Sequence, residues 1–226
     1  MGLGKIIGES FQYAKDGLAG KWARWILLII SCMIFPLALG YVMRIYRGVK
    51  PSPELNEWGS MFVDGIKLLI VGVIYAIPII IVEVAVLGSS GFALITAISS
   101  PQADPNAVME LIGAAMFGVI IFIIVAIIIS LIATIGMVRF ARTNSFGQAF
   151  NFGAIFGTIG RIGTGAYIVA MIVLVIIIGI IEVICWLIPY VGSIILIILL
   201  PFIYLFSARY VTLLYESAGE VAPTPA

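Results

Sequence analysis

The chain contains no histidine. That absence removes the commonest general base, the commonest metal ligand and the usual haem ligand. Metalloprotease and Ser-His chemistry go with it. Cysteine is almost as rare, with only Cys32 and Cys185, both inside apolar runs. They provide no CxxC and no disulfide framework, and are expected to pack as small hydrophobes. Charge is scarce: Asp, Glu, Lys and Arg make up 10% of the 226 residues, with a net charge of +1. No basic tract is dense enough for nucleic acid, so none is expected as a partner. The phosphate-cradling patterns GxxxxGK[ST] and GxGxxG are missing. No paired carboxylates sit in one short motif, and no Lys lies at membrane depth to serve an intramembrane Ser-Lys arrangement. The chain is therefore read as non-enzymatic, with no cofactor and no metal.

What the sequence has in excess is hydrocarbon. Hydrophobic residues make up 63% of it, against about 45–50% in soluble proteins. A soluble chain this apolar could not cover its own surface with polar groups. The expected fold is all-α, an integral membrane bundle of about five transmembrane helices with in-plane amphipathic helices. The spans run from about Trp25 to Met43, Ile66 to Leu87, Leu111 to Val138, Thr164 to Leu187 and Tyr190 to Ala208. Each can cross a hydrocarbon core of ~30 Å, which takes about 20 helical residues. In lipid the backbone must satisfy itself, so these Ile- and Val-rich runs are read as helices. Trp22, Trp25, Tyr41, Trp186, Tyr190 and Tyr210 fall at span ends, as an aromatic belt should.

Residues 1–216 read as one transmembrane domain and 217–226 as a disordered tail. The first 24 residues are too polar for a cleaved signal peptide. Within residues 1–21, Leu3, Ile7, Phe11, Ala14 and Leu18 recur at helical spacing, with Lys5, Glu9, Gln12 and Asp16 off that face. This predicts an amphipathic helix in the membrane interface.

The 88–106 link and the Pro189–Ser193 turn carry no Lys or Arg, whereas the 44–65 and 139–163 links are basic. The positive-inside rule places the basic links and the C-terminus in the cytoplasm of a multi-pass plasma-membrane protein. With five crossings the N-terminus would lie outside. Its own Lys5, Lys15, Lys21 and Arg24 oppose that, and placing it inside needs a re-entrant first run or an extra crossing.

The chain also resembles itself. Pro36 precedes Arg44, and Pro201 precedes Arg209, by the same eight-residue step. Arg44-Ile-Tyr-Arg47 parallels Arg139-Phe-Ala-Arg142, and WGSMF (58–62) parallels FGAIF (152–156). Helix-start signals follow each arginine pair: Ser52-Pro53-Glu54 in one link, the capping box Ser145-x-x-Gln148 in the other. This predicts parallel repeat-like halves at about 22–87 and 108–187, with a half-repeat at 190–210.

Two sets of residues are candidates for function. Glu83 and Glu182 are the charges placed well inside the spans, and a carboxylate at membrane depth is costly unless partnered. They are read as an ion- or proton-binding pair, or as side chains reaching the outer interface. Arg44, Arg47, Lys50, Arg139, Arg142 and Arg161 are read as a cytoplasmic basic face for anionic lipid headgroups or a phosphorylated ligand, or as topology-setting charge paired with Glu54, Glu57 and Asp64. Gly153, Gly157 and Gly160, with the pair Ala114 and Gly118, suggest close helix packing.

The stretch Gly40-Tyr41-x-x-Arg44-Ile-x-Arg47, then Pro53-Glu54-Leu55-x-Glu57-Trp58 and Phe62-x-Asp64-Gly65-x-Lys67, resembles the signature of the family catalogued as domain of unknown function 4013. The resemblance covers roughly residues 5 to 215 and is sharpest over Tyr41–Lys67. The sequence departs from the family near Pro53, where its acidic cluster is thinner. The resemblance implies a polytopic membrane protein, archaeal, with no assigned activity. Function is expected to be that of a non-enzymatic assembly, scaffold or lipid-interacting component, with membrane lipids and a protein partner or second copy as partners. The alternative is a small-ion or solute transporter or channel using Glu83 and Glu182.

Overall fold

A computed structural model describes residues 2–100 and 104–219, and all their regular structure is helical. In chain order the helices are α1 (Leu3–Leu18), α2 (Trp22–Met33), α3 (Phe35–Tyr46), α4 (Trp58–Val82), a π-helical turn (Glu83–Gly88), α5 (Ser89–Ile98), α6 (Pro105–Thr143), α7 (Phe146–Ala149), α8 (Phe152–Ile162), α9 (Thr164–Trp186) and α10 (Val191–Glu216). Four stretches are long and apolar enough to cross a bilayer: Trp58–Ile98, α6, α9 and α10. α2 and α3 together pass the same test but are bent by 118°, so the count is four, or five if that pair is one span. From residue 220 on, the expected disordered tail lies outside the described residues.

The predicted span over 25–43 is thus two helices. Ile34 leaves helical geometry (φ −101°, ψ 87°), and Pro36 stands in the first turn of α3, where its missing N–H costs nothing. Pro78 and Pro201 stay inside α4 and α10. Proline alone therefore does not break an apolar helix.

The chain divides into two compact units, one of residues up to Val71 with those from Thr134 onward, the other Gly72–Ala133. The second holds the later part of α4, the π-helical turn, α5 and most of α6. All twelve Lys and Arg belong to the first.

In the first unit the last turns of α10 are the core: Arg209 through Tyr215 are all buried. α1 lies along them. Its buried stripe is Ile6, Ser10, Ala14, Gly17 and Leu18, which keeps Ala14 and Leu18 of the predicted face but not Leu3, Ile7 and Phe11. Small residues let α1 approach α10, which matters where apolar burial supplies no drive between helices. Phe11 is left 51% exposed and meets Phe202 edge-on at 5.5 Å. α1 thus presents a protein face, an apolar outward face and a polar face.

α3 and α4 cross more intimately still. A Cβ on Gly40 would overlap the carbonyl oxygen of Met61, and one on Gly65 that of Pro36. Gly157 and Gly160 have no neighbour in reach, and Gly153 meets only the Asn151 side chain. The close packing expected of them is at Gly40 and Gly65 instead. The start of α4 also differs: Ser52-Pro53-Glu54 begins no helix, and α4 opens at Trp58. WGSMF is therefore the first turn of α4, while FGAIF opens the separate α8, capped by Asn151 Oδ1 accepting from the Ala154 N–H. Ser145 does stand at the N-cap of α7, but without a side-chain cap bond.

Candidate functional site

The basic residues gather where α3, α4, α6 and α10 end or begin, and most of them are spent on the protein itself. A helix leaves its last carbonyls without donors, and cations are favoured beside them. Arg44 closes the link after α3: its Nη1 donates to Glu54 O (3.2 Å), Asn56 O (2.9 Å) and Asn56 Oδ1 (3.1 Å), and its Nη2 to Glu57 O and Ser60 Oγ. Arg47 is paired with Asp64 at 2.7 Å, and Lys67 reaches the same carboxylate at 3.8 Å. Arg139 donates to Gln148 Oε1 at 2.7 Å, so the expected capping-box glutamine serves an arginine. Arg142 is paired with Glu216 at 2.7 Å, its side chain 5% exposed, and lies over the Tyr215 ring. Arg161 is exposed and donates to Thr158 Oγ1 at 3.3 Å. Lys50 is exposed and makes no ion pair among the described residues.

The two arginine pairs also hold each other. Arg47 Nε donates to Ala141 O at 3.3 Å, and Arg142 Nε to Tyr46 O at 2.6 Å. The carbonyl used is in each case the one just before the other arginine. Beside Tyr46 O, Ile45 O accepts from Thr212 Oγ1, so the end of α3 is capped from α6 and α10.

Two arginines outside the expected set are placed more deeply. Arg24 Nη2 donates to Tyr41 Oη, Ser52 O, Ser52 Oγ and Pro53 O, and Tyr41 itself donates to Pro53 O at 2.9 Å. Arg209 is 1% exposed, with its guanidinium 5.3 Å from the centroid of the Tyr13 ring, a favourable cation–π distance. Tyr13 donates to Val49 O at 3.1 Å. Burial pushes the Tyr13 phenol well above its ordinary range, with Tyr41 adding to that and Arg209 and Arg24 opposing it. The sequence signals for these roles were the Pro201-to-Arg209 step and Tyr41 beside Gly40. Arg24 read only as a charge before a span.

The expected aromatic belt is correspondingly divided. Trp22, Trp186 and Tyr190 are 73%, 84% and 93% exposed, whereas Tyr41 and Tyr210 are buried and donate to Pro53 O and Ala170 O.

Neither candidate carboxylate is enclosed. Glu83 is exposed and opens the π-helical turn in the second unit. Glu182 is exposed in the first, on the wall of an open groove of about 620 Å³ with Trp186, Tyr190 and Ser193. Among the described residues no group of three or more Cys, Asp or Glu could hold a metal ion. Chemically, the arrangement at the helix ends is a clamp: it satisfies carbonyls and fixes helix register.

The model of the family described as "Protein of unknown function (DUF4013)" matches residues 25–190. No curated protein and no solved structure matches the chain.

Proposed function

We propose that this chain, which belongs to the DUF4013 family of proteins of unknown function, is a non-enzymatic membrane component that works through contact with anionic lipid. The observation that carries the reading is a division between its cations. Six of the seven arginines are turned inward, onto oxygens of the protein or, for Arg209, the Tyr13 ring, and only Arg161 is exposed. Lys5, Lys15, Lys21 and Lys50 are exposed. Arginine's rigid fork suits fixed bidentate work inside a protein, while the hydrated ammonium of lysine suits a loose surface charge. The basic face is thus narrower than the sequence implied: Lys50 and Arg161 stay in it, and Arg44, Arg47, Arg139 and Arg142 leave it. The three faces of α1 support the same reading, since one packs on α10, one is apolar and one carries Lys5 and Lys15. The parallel internal repeat belongs to this proposal, supported by the reciprocal bonds of Arg47 and Arg142. So do the cytoplasmic placing of the basic links and a role in assembly with a protein partner or a second copy.

The test is reconstitution in nanodiscs of mixed phosphatidylcholine and phosphatidylglycerol, followed by native mass spectrometry of the lipids retained. A surface Lys is worth about 1 kcal/mol near an anionic membrane. Replacing Lys5, Lys15 and Lys50 together by Gln is expected to reduce phosphatidylglycerol enrichment at least about tenfold and leave the unfolding midpoint in detergent unchanged, while Lys21, which donates to Asp16 O at 2.8 Å, is kept. Equal retention of both lipids by the unaltered chain would reject the reading.

A further inference from the structure

The bent pair α2–α3 poses a question of sidedness that the lipid-contact reading does not answer, and the answer here is independent of it. A span over 25–43 would carry Arg24 and Arg44 to opposite faces of the bilayer, ~30 Å apart. Arg24 instead donates to Ser52 and Pro53, in the link that Arg44 closes. The two ends of the apolar run therefore return to one place.

The depth of the turn follows from α4. α3 runs back along the start of that helix: Gly40 lies against Met61, and Pro36 against Gly65. Gly65 is only seven residues past Trp58, where α4 begins, which is about 10 Å of helix at 1.5 Å per residue. α4 and its continuation run on to Ile98. Seen against α10, α3 ends at Thr212 through Ile45, on the same stretch that α1 covers. α2 and α3 are twelve residues each, roughly 18 Å long. Bent by 118°, they reach about half the thickness of a bilayer core. The turn itself is apolar and bare: Met33 is 79%, Ile34 43% and Phe35 50% exposed. Trp22, 73% exposed, stands at the start of α2 as interfacial residues do, and Trp25, stacked on it at 5.9 Å, donates from Nε1 to Ile198 O of α10.

Charge gives an argument of its own. If α2–α3 crosses, Lys5, Lys15, Lys21 and Arg24 fall on one side and the other eight cations on the opposite side. If it turns back, all twelve Lys and Arg lie on one side and none on the other. The bias that sets topology is then complete instead of contested.

We infer that α2–α3 is a re-entrant wedge whose apolar turn is seated in the acyl chains of one leaflet, so that the chain crosses the bilayer four times with both termini on the cationic side. The occupant of its bare face is lipid of that leaflet alone. Phe11, Trp22 and Met33 are side chains that would meet it.

The experiment places single cysteines at Gly2, Ile34, Ser99 and Ser217 in a chain whose Cys32 and Cys185 are replaced by Ala. Sealed vesicles of known orientation are treated with a membrane-impermeant maleimide before and after lysis. Gly2→Cys and Ser217→Cys are expected to label from the same side and Ser99→Cys from the other. A spin label at Ile34→Cys is expected to be reached by oxygen and shielded from a water-soluble nickel chelate added on either side. Labelling of Gly2→Cys on the side of Ser99→Cys would overturn the inference, as would chelate access to Ile34→Cys from the Ser99 side. Reporter fusions at the N- and C-termini, which leave α2–α3 unaltered, decide the same topology if a cysteine variant fails to fold: like signals uphold four crossings and opposite signals refute them. Loss of anionic-lipid retention would not move any of these readouts.

Discussion

Arg47 and Arg142 cap each other's helices. Each sends its Nε to the carbonyl of the residue before the other, Arg47 to Ala141 and Arg142 to Tyr46. Each then turns one Nη to a carboxylate, Nη1 of Arg47 to Asp64 and Nη2 of Arg142 to Glu216. The ends of α3 and α6 are thereby locked in register by a pair of bonds that depend on one another.

Such mutual dependence has a thermodynamic signature. Lys at either position keeps the charge but loses the fork that serves a carbonyl and a carboxylate together. Arg47→Lys and Arg142→Lys are each expected to lower the unfolding midpoint in detergent, Arg142→Lys the more because its site is drier. The double variant should lose less than the sum, with a coupling of about 0.5–3 kcal/mol. Strict additivity in a double-mutant cycle would show that the two ends are held separately.

Glycines divide by what a methyl group would strike. Gly40→Ala and Gly65→Ala push a Cβ into the backbone of the neighbouring helix, which cannot yield as a side chain can. Each is expected to cost at least the roughly 1–3 kcal/mol typical of overpacking. Gly157→Ala and Gly160→Ala lie in α8 with nothing in reach and should stabilise by about 0.5–1 kcal/mol through helix propensity. Thermal unfolding followed by light scattering separates the two groups, and similar losses in all four variants would contradict the crossing at Gly40 and Gly65.

Tyr13 should make the fold sensitive to alkali. Its folded phenol is held above the ordinary value of 10.0, first by burial. A group whose folded value is raised contributes fully below its unfolded value, and that contribution fades as pH climbs past it. Stability is therefore expected to fall above about pH 10, as the unfolded chain gains the tyrosinate that the folded chain refuses. Tyr13→Phe gives up the bond to Val49 and should begin less stable, with a shallower alkaline decline. An unchanged slope between pH 9 and 11 would place the phenol in water.

Much of the architecture was legible because hydrocarbon leaves few choices. α9 ends within one residue of its predicted span, since Thr164 and Trp186 bracket a run in which only Glu182 is charged. The break at Ile34 was not legible in the same way. Pro36, Pro78 and Pro201 all sit in apolar runs, and only the first stands at a break between helices. What separates them is tertiary: Arg24 is bound to Ser52 and Pro53, which a straight helix would forbid. The buried face of α1 departs from its apolar spacing because size matters there more than hydrophobicity. Ser10 and Gly17 go inward, and at Gly17 the Leu205 and Ser52 side chains lie 2.8 Å from where a Cβ would stand. The roles of the arginines were hidden because pairing with backbone carbonyls has no sequence spacing to betray it.

The capping of α3 also sets an order of events. The donors for Tyr46 O and Ile45 O stand 96 and 167 residues further along the chain, at Arg142 and Thr212. A ribosome making this protein releases the wedge long before it releases either cap. Until α6 emerges Tyr46 O must rely on water, whereas Ile45 O already accepts from the Gly48 N–H at 2.8 Å, and the bond from Thr212 can close only after the last helix is made.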